Sequence, residues 1–210
     1  MERVAVTFGR RCPASLGLVD VACVSAIGVG ERGYDVTEMS IRLRPVVEDD
    51  LVMFRRFATE PGLIGLDWTG FKDAHAPARR FAEDSYLGTT SGRLMVEIES
   101  QQVAAGFVSW AERDFGGPTK HWEIGIALLP EWRGQGIGWR AQAMLSEYLF
   151  KHTPLHRIQA GTHPENIAEQ KSLAKAGFQL EGVVRACEFR DGRWCDGYLY
   201  SRVRTDPSPL

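Results

Sequence analysis

The residues with the clearest chemical potential lie between Glu123 and Gly138, where an apolar segment ends at Pro130 and a glycine-rich turn follows. The turn reads Arg133-Gly-Gln-Gly136-Ile-Gly138 and precedes a long amphipathic segment. Glycine adopts positive φ at little cost and leaves neighbouring backbone N–H groups accessible. At a helix N-terminus, such N–H groups and the helix dipole bind anions such as a pyrophosphate. We therefore predict an anion-binding loop here, with Arg133 adding a positive charge at its entrance.

Three kinds of phosphate-binding loop open a helix in this way. A P-loop ends in Gly-Lys-Ser/Thr, which this segment lacks. A dinucleotide-binding loop has the pattern Gly-x-Gly-x-x-Gly, whereas the glycines at 134, 136 and 138 alternate. The third pattern, Arg/Gln-x-x-Gly-x-Gly/Ala, fits Arg133 to Gly138 at every position. A capped surface helix without a ligand is the remaining alternative, and the agreement of strand, proline, glycines and helix weighs against it.

The third pattern belongs to the GNAT N-acetyltransferases, which residues 40–204 resemble. A second match runs from His163 to Gly182 and contains a helix-opening asparagine, a Gly-Phe closure and a Glu-Gly strand. The ending Asp191-Gly-Arg-Trp-Cys-Asp196 fits a hairpin that leads into a final strand. With these motifs in the expected order and spacing, the chain is most similar to the RimJ/RimL branch of ribosomal-protein N-terminal acetyltransferases.

The resemblance implies acetyl-CoA as co-substrate; no metal is expected, because no ligand spacing supports one, and the order of elements predicts a mixed α/β fold. In this GNAT fold the central sheet is mostly antiparallel and splayed, with helices on both faces. The pantetheine arm would bond the backbone of Ile126 and Leu128, and Asn166 resembles the asparagine that contacts the CoA arm near the thioester. The amides of the loop would hold the pyrophosphate; the loop residues are Arg133, Gly134, Gln135, Gly136, Ile137 and Gly138.

Acetyl transfer requires the attacking amine to lose a proton, because an alkylammonium has a pKa of about 10. Glu123 lies where several GNAT enzymes carry a water-linked glutamate, so the resemblance implies that it is the general base. The N–H of Leu128 would stabilise the negative charge that develops on the acetyl oxygen. The residues alone explain Glu123 equally well as a strand carboxylate that pairs with an arginine or a lysine.

The general acid is the point at which this chain departs from the family pattern. Many GNAT enzymes carry a tyrosine seven residues after the helix-opening asparagine, and here that position is Leu173. Enzymes of the RimL type often carry a serine three residues after it, and here that position is Glu169, with Ser172 further along the helix. Either Glu169 has a catalytic or ammonium-binding role, or the thiolate leaves unassisted. We favour the second account because a CoA thiol is a good leaving group.

The acceptor side is less specified by the sequence. The resemblance points to the region between the first two helices, with Asp67, Trp68, Trp110 and Trp122 as candidate lining residues. Tryptophan is more often a core residue than a site residue, so that alternative stays open. The acceptor is expected to be a small amine, such as a polyamine, or a peptide N-terminus; an acidic groove would favour the cationic small amines. A catalytically weak acyl-CoA-binding module is the alternative from another class.

Composition excludes some partners and says little about others. With a formal net charge of −2, the chain has no general attraction to nucleic acid or to an anionic membrane, so we expect neither as a partner. The sequence leaves a homodimer open. No Cys-x-x-Cys pair occurs, which indicates free thiols in a cytoplasmic protein; the cysteines are Cys12, Cys23, Cys187 and Cys195. Counting outward from the Asp191-Gly192 turn places Cys187 opposite Asp196 and Glu188 opposite Cys195.

The chain divides into three parts by pattern. Residues 1–38 lack regular periodicity, and Asp20 interrupts their apolar run, which disfavours a signal peptide. We expect a leader there, disordered or upstream of a true start at Met39, then an acetyltransferase domain over residues 39–204 and a tail over 205–210. The domain reads as β, α, α, β, β, β, α, β, α, β, β. In its longest helix we expect one buried face, made of Ile137, Ala141, Met144, Leu145, Tyr148 and Leu149.

Overall fold

The computed structural model describes residues 39–210, so the expected leader, Cys12 and Cys23 lie outside the described residues. The strands are β1 (Ile41–Pro45), β2 (Ser91–Ile98), β3 (Val103–Asp114), β4 (Lys120–Leu128), β5 (Arg157–Thr162), β6 (Gln179–Arg190) and β7 (Arg193–Val203). The helices are α1 (Leu51–Thr59), α2 (Pro61–Ile64), α3 (Ala76–Asp84), α4 (Ile137–His152) and α5 (Ile167–Lys175). This order is the predicted one, with the four-residue α2 and three short 3₁₀ turns added.

The seven strands form one mixed sheet in the order β1-β2-β3-β4-β5-β7-β6. Every neighbouring pair is antiparallel except β4 and β5, which run parallel because α4 connects them as a crossover. The predicted mixed, mostly antiparallel sheet is confirmed. The parallel pair lies at the centre of the sheet, which puts the glycine-rich turn after β4 beside the middle of the molecule.

Alternation along the strands gives the sheet two different faces. Helices α4 and α5 cover one face, where the largest apolar cluster includes Trp110, Trp122, Ile124, Leu145 and Leu173. Helices α1, α2 and α3 lie on the other face over two smaller clusters, centred on Phe54 with Tyr86 and Met95, and on Phe57 with Leu63 and Leu129. The prediction of helices on both faces is confirmed.

The buried face of α4 differs from the predicted one. Tyr148 is 37% exposed, whereas Gln142 and Ser146, which were not expected in the core, are 1% and 0% exposed. The reason is that α5 packs beside α4, so a second stripe of α4 is covered in addition to the stripe on the sheet. A single apolar periodicity misses a helix with two partners, because small and polar side chains serve at the helix–helix contact.

The β6–β7 hairpin confirms one half of the predicted register and contradicts the other. Glu188 pairs with Cys195 as predicted. Val184 pairs with Gly197, however, so a bulge lies between these two pairs and Cys187 is not paired with Asp196. The Asp196 side chain accepts a hydrogen bond of 2.8 Å from the backbone N–H of Ala186, which has φ of 47°. Cys187 and Cys195 are free thiols, as predicted.

Two arginine–carboxylate pairs fix the half of the sheet that lies beyond β5. Arg157 donates to both carboxylate oxygens of Glu181, at 2.6 and 2.5 Å. This guanidinium lowers the pKa of Glu181 from 4.5 to about 2. Arg202, only 2% exposed, pairs with Glu147 of α4 at 2.6 Å. Ser208 also donates to Glu147 at 2.8 Å, so the expected tail packs against α4.

Candidate active site

Strands β4 and β5 separate shortly after they meet. Their parallel pairing consists of Trp122 with Ile158 and Glu123 with Gln159. Beyond these pairs β4 continues to Leu128 and β5 to Thr162 without further pairing between them. The described part of the sheet therefore has a wedge-shaped gap at its centre, next to the glycine-rich turn.

The backbone of β4 presents polar groups to this gap. The N–H of Leu129 donates to the carbonyl of Ala105 at 2.9 Å, which makes these two residues a hydrogen-bonded pair in the antiparallel register of β3 and β4. Hydrogen-bonded and non-hydrogen-bonded pairs alternate along such a ladder. The N–H and C=O groups of Ile124, Ile126 and Leu128 consequently point away from β3, toward β5.

The glycine-rich turn has the geometry of an anion-binding loop. Gly134 and Gly136 have φ of 74° and 75°, and Gly136 is the N-cap of α4 with no side-chain capping bond. The first N–H groups of a helix have no acceptor within the helix. Ile137, with 0% exposure, anchors the loop in the core. A Cβ on Gly138 would lie 3.8 Å from Leu128 Cδ1 and 4.0 Å from Ile126 Cδ1, so the loop and the gap adjoin.

Two polar side chains of the turn are bonded to backbone carbonyl groups. Arg133 donates from Nε to the carbonyl of Leu128 at 2.9 Å and from a terminal nitrogen to the carbonyl of Leu63 in α2. Gln135 donates to the carbonyl of Glu131 at 2.7 Å. Arg133 therefore ties the end of β4 to α2, and its positive charge stays at the mouth of the gap.

A cavity of about 550 Å³ lies on the face of the sheet that α1 and α3 cover. Its floor is made of small side chains on β2, β3 and β4, namely Ser91, Ser109, Ala111 and Gly125. Small residues on a strand leave space under a helix that larger ones would fill. The charged residues that line it are Lys72, Arg80, Arg93, Arg113, Asp73 and Glu123, four cations and two carboxylates. The groove is therefore not acidic.

Glu123 lies where the cavity and the gap meet, because it lines the cavity and belongs to the last pair of β4 with β5. Its carboxylate accepts a hydrogen bond of 2.7 Å from Nε of Arg113 on β3. The side chains of Arg113 and Glu123 are 53% and 39% exposed, so the carboxylate is held in place yet open to solvent.

The candidate acceptor residues are not gathered around this cavity. Trp122 is 4% exposed in the core under α4, and its Nε1 donates to Thr153 at 3.0 Å. Trp110 borders the cavity, but its indole packs over Gly92 on the α4 face, where an added Cβ would lie 2.2 Å from the ring. Trp68 contacts Phe71 edge to face at 5.3 Å. Asp67 ends a 3₁₀ turn, and its side chain lies outside the described part.

The predicted residues of α5 lie on the other side of the gap. Asn166 caps the helix by accepting a 3.2 Å hydrogen bond from the N–H of Glu169, whose carboxylate accepts from the side chain of Gln142 in α4. Leu173 is fully buried in the apolar core. The Ser172 hydroxyl lies 3.3 Å from Oε1 of Gln142, bonded toward α4. None of these four side chains lines the cavity as described over residues 39–210.

Among residues 39–210, His, Cys, Asp and Glu side chains form no group of three or more that could hold a metal ion. No helix of the same range combines the length and the apolar character that crossing a membrane requires.

The residue that the sequence analysis did not single out is Arg93, which lines the cavity. A signal for it exists in β2, where Arg93 directly precedes the apolar run Leu94–Val96. The small residues of the floor gave a weaker signal, because alternation of small and large side chains on β3 and β4 is visible only once the register is known.

A glycine-opened helix beside a split in a mixed sheet, with a cavity bordering the same strand, is an arrangement that suits a long phosphate-bearing ligand. Residues 40–179 match the family model described as Acetyltransferase (GNAT) domain. The chain belongs to this family.

Comparison with individual proteins agrees with that assignment. The chain is 35% identical to the uncharacterized N-acetyltransferase YnaD of Bacillus subtilis over 114 residues, 54% of this chain and 65% of YnaD. Its fold is similar to spermidine N-acetyltransferase from Vibrio cholerae in complex with CoA and spermine, with a TM-score of 0.69, 19% identity and coverage of 79% and 96% of the two chains. It is also similar to Mycobacterium smegmatis RimJ in complex with CoA-disulfide, with a TM-score of 0.64 and 25% identity. That match covers 80% of this chain and 85% of RimJ.

These comparisons confirm the predicted RimJ/RimL-like branch of the family. The chain spans 65% of the length of YnaD and less than half of the length of the other curated relatives that it matches.

Proposed function

We propose that this chain transfers an acetyl group from acetyl-CoA to a primary amine, on a small molecule or at a peptide N-terminus, by direct attack in a ternary complex. One observation carries the proposal: the β4–β5 gap, with the glycine loop at its end, meets a partly open cavity at Glu123. Two ligands that enter from these two sides would meet at the backbone of β4. That arrangement suits direct transfer between two bound molecules.

Acetyl-CoA would supply the activated acetyl group, and this chain's backbone would hold it. The N–H groups from Arg133 to Gly138 would bind the pyrophosphate, since Gly134 and Gly136 keep them exposed at the start of α4. The gap-facing groups of Ile126 and the carbonyl of Leu128, which also accepts from Arg133, would bond the pantetheine arm. The N–H of Leu128 would bond the acetyl oxygen. Asn166 would add a contact near the thioester, although its Oδ1 also caps α5.

Glu123 would accept the proton that the amine must lose. An amine can attack only with a free lone pair, so a base close to the acceptor raises the rate. The hydrogen bond from Arg113 holds the Glu123 carboxylate in place, and the exposure of Glu123 leaves room for an intervening water. The ion pair with Arg113 also fits the structural alternative for this residue, so activity measurements on variants are required to separate the two.

The leaving thiolate would depart without a protein acid. Leu173, at the position of the family's tyrosine, carries no proton and is fully buried. Glu169 is bonded to Gln142 and is not among the residues that line the cavity. This supports unassisted departure over a catalytic role for Glu169.

The test is a thiol-release assay with acetyl-CoA against a panel of amines and peptides, with mass spectrometry of the acceptor. We expect release that depends on the amine, together with a 42-dalton increase in acceptor mass, about one acetyl group in place of one hydrogen. Reactions without amine give the hydrolysis background. Tight acetyl-CoA binding without acetylation of any acceptor would contradict the proposal and favour an acyl-CoA-binding module.

A further inference from the structure

Arg93 occupies an unusual position for a charged residue. It lies on β2, and its guanidinium carbon is 5.2, 5.2 and 4.9 Å from the ring centroids of Phe54, Tyr86 and Phe107. These three rings hold the side chain in place within the cavity that it lines. Such contacts stabilise a cation through the ring faces, but they do not satisfy its N–H donors.

The other cavity cations have carboxylate partners, with the exception of Lys72. Arg80 pairs with Asp84 and Arg113 with Glu123, each at 2.7 Å. For Arg93, by contrast, no carboxylate or other side-chain acceptor is bonded to the guanidinium among residues 39–210. Burial lowers the pKa of Arg93, and the nearby charge of Arg80 lowers it further. Arg93 is partly buried, so its guanidinium loses part of its hydration without gaining a bonded acceptor, and a bound anion would supply that acceptor.

The strand register shows how far Arg93 lies from β4, the strand beside which acetyl transfer would occur. Arg93 pairs with Ser109 of β3, and Ser109 pairs with Gly125 of β4, so the three residues form one row across the floor. Neighbouring strands are about 4.8 Å apart, which places the Arg93 backbone about 10 Å from Gly125. The guanidinium already covers part of that distance, because it lies 4.9 Å from the ring of Phe107 on β3. A small acceptor could therefore reach Arg93 while its amine lies beside Glu123 and Gly125.

We propose that Arg93 binds an anionic oxygen group of the acceptor, a carboxylate or a phosphate, so that the acceptor class is an amine that also carries such a group. The proposal rests on the proposed function and narrows its acceptor. Guanidinium groups bind both kinds of anion through paired N–H donors. A polyamine, which is cationic throughout, lacks the group that Arg93 would pair with. The cavity's four cations against two carboxylates point the same way.

The experiment compares acceptors that differ in this group alone. Alanine, dialanine and trialanine are each tested as free acid and as C-terminal amide, and phosphoethanolamine is tested against ethanolamine. The first series detects a carboxylate site and the second a phosphate site. For the wild type we expect kcat/KM at least about tenfold higher for the anionic member of one series, the size of a charge-assisted hydrogen bond.

Variants separate recognition from stability. Arg93→Gln should bring the two members of that series within about threefold of each other, and Arg93→Lys should keep part of the preference. Arg56→Gln is the matched control, because Arg56 is an exposed α1 arginine in an ion pair with Glu60 and outside the cavity lining. It should leave the preference unchanged. Acetyl-CoA affinity should be the same in all four proteins.

Binding of the same compounds to the CoA complex, measured by calorimetry, keeps the outcome independent of turnover. Anionic members that bind the wild type at least about tenfold more tightly than Arg93→Gln support the site even if none is acetylated; that result would count against the proposed function alone. Equal kcat/KM and equal affinity of the wild type for the anionic and uncharged members of both series would overturn the anion site. So would an equal loss of both in Arg93→Gln, or the absence of binding by every member.

Discussion

The two faces of strands β2 to β4 differ in packing: large buried side chains cover one face, and a cavity lies on the other. On the face toward α4, Trp110, Trp122 and Ile124 are buried in the core, with exposures of 7%, 4% and 5%. On the face toward α1 and α3, the intervening Ala111 and Gly125 leave a cavity that charged residues border. One face supplies stability through close packing, and the other gives up packing for a space in which a second molecule fits.

The contrast is sharpest at two adjacent residues of β3. Trp110 and Ala111 are consecutive, so their side chains point to opposite faces. The indole of Trp110 contacts Gly92 and lies 6.3 Å from the ring of Tyr148, whereas Ala111 is paired with Glu123 on the cavity floor. If the faces have different roles, substitutions at these two residues should affect different measurements.

The largest expected effect is on stability, at Trp110. Trp110→Ala should lower the free energy of unfolding by about 3–5 kcal/mol, because it leaves a void in a packed core. Ala111→Leu should change Tm little, since the cavity has room for the added atoms, but should lower kcat/KM for the acceptor at least about tenfold. Denaturant unfolding, calorimetric acetyl-CoA affinity and steady-state kinetics are measured on both variants. Full activity of Ala111→Leu would contradict the proposal that the acceptor binds in this cavity.

The two glutamates on either side of the gap provide the next comparison. Glu123→Gln should lower kcat more than tenfold and shift the alkaline side of the pH–rate profile, since a general base typically contributes about 10²–10⁴-fold. Glu169→Gln should lower kcat less than tenfold, because its carboxylate is bonded to Gln142. Pre-steady-state and steady-state rates across pH distinguish the two. A hundredfold loss at Glu169 with Glu123→Gln unaffected would reverse their roles.

The smallest expected effect concerns the half of the sheet beyond the gap. Arg157 depresses the pKa of Glu181 from 4.5 to about 2, so the pair stabilises the fold above pH 4.5 and loses this contribution as pH falls toward about 2. Glu181→Gln should therefore lower Tm by a few degrees at neutral pH, and the difference should shrink below pH 4.5. The effect is modest because the Glu181 side chain is 38% exposed. A Tm difference that grows on acidification would contradict the assignment.

The comparison of faces also explains what the sequence could predict. The order of elements and the loop from Arg133 to Gly138 follow from local signals: glycine spacing, a proline and apolar periodicity. The roles of Trp110 and Trp122 depend on which helix covers which face, and no local pattern specifies that. The bulge in β6 and the exposure of Tyr148 depend on tertiary partners in the same way. The importance of Arg93 could not be predicted, because it depends on the lack of a bonded carboxylate among residues 39–210, which only coordinates reveal.

The central claim is that the glycine loop binds acetyl-CoA, and calorimetric titration of one variant pair tests it most directly. Gly136 and Gly192 have nearly the same backbone φ, 75° and 76°, so an aspartate imposes similar strain at either position. Only Gly136 lies at the start of α4; Gly192 is in the β6–β7 turn.

Gly136→Asp places a negative charge where the pyrophosphate would bind, and we expect it to weaken acetyl-CoA binding at least about a hundredfold while the circular dichroism spectrum stays native. Gly192→Asp should bind acetyl-CoA as the wild type does. Equal affinity of Gly136→Asp and the wild type, with both folded, would contradict the account.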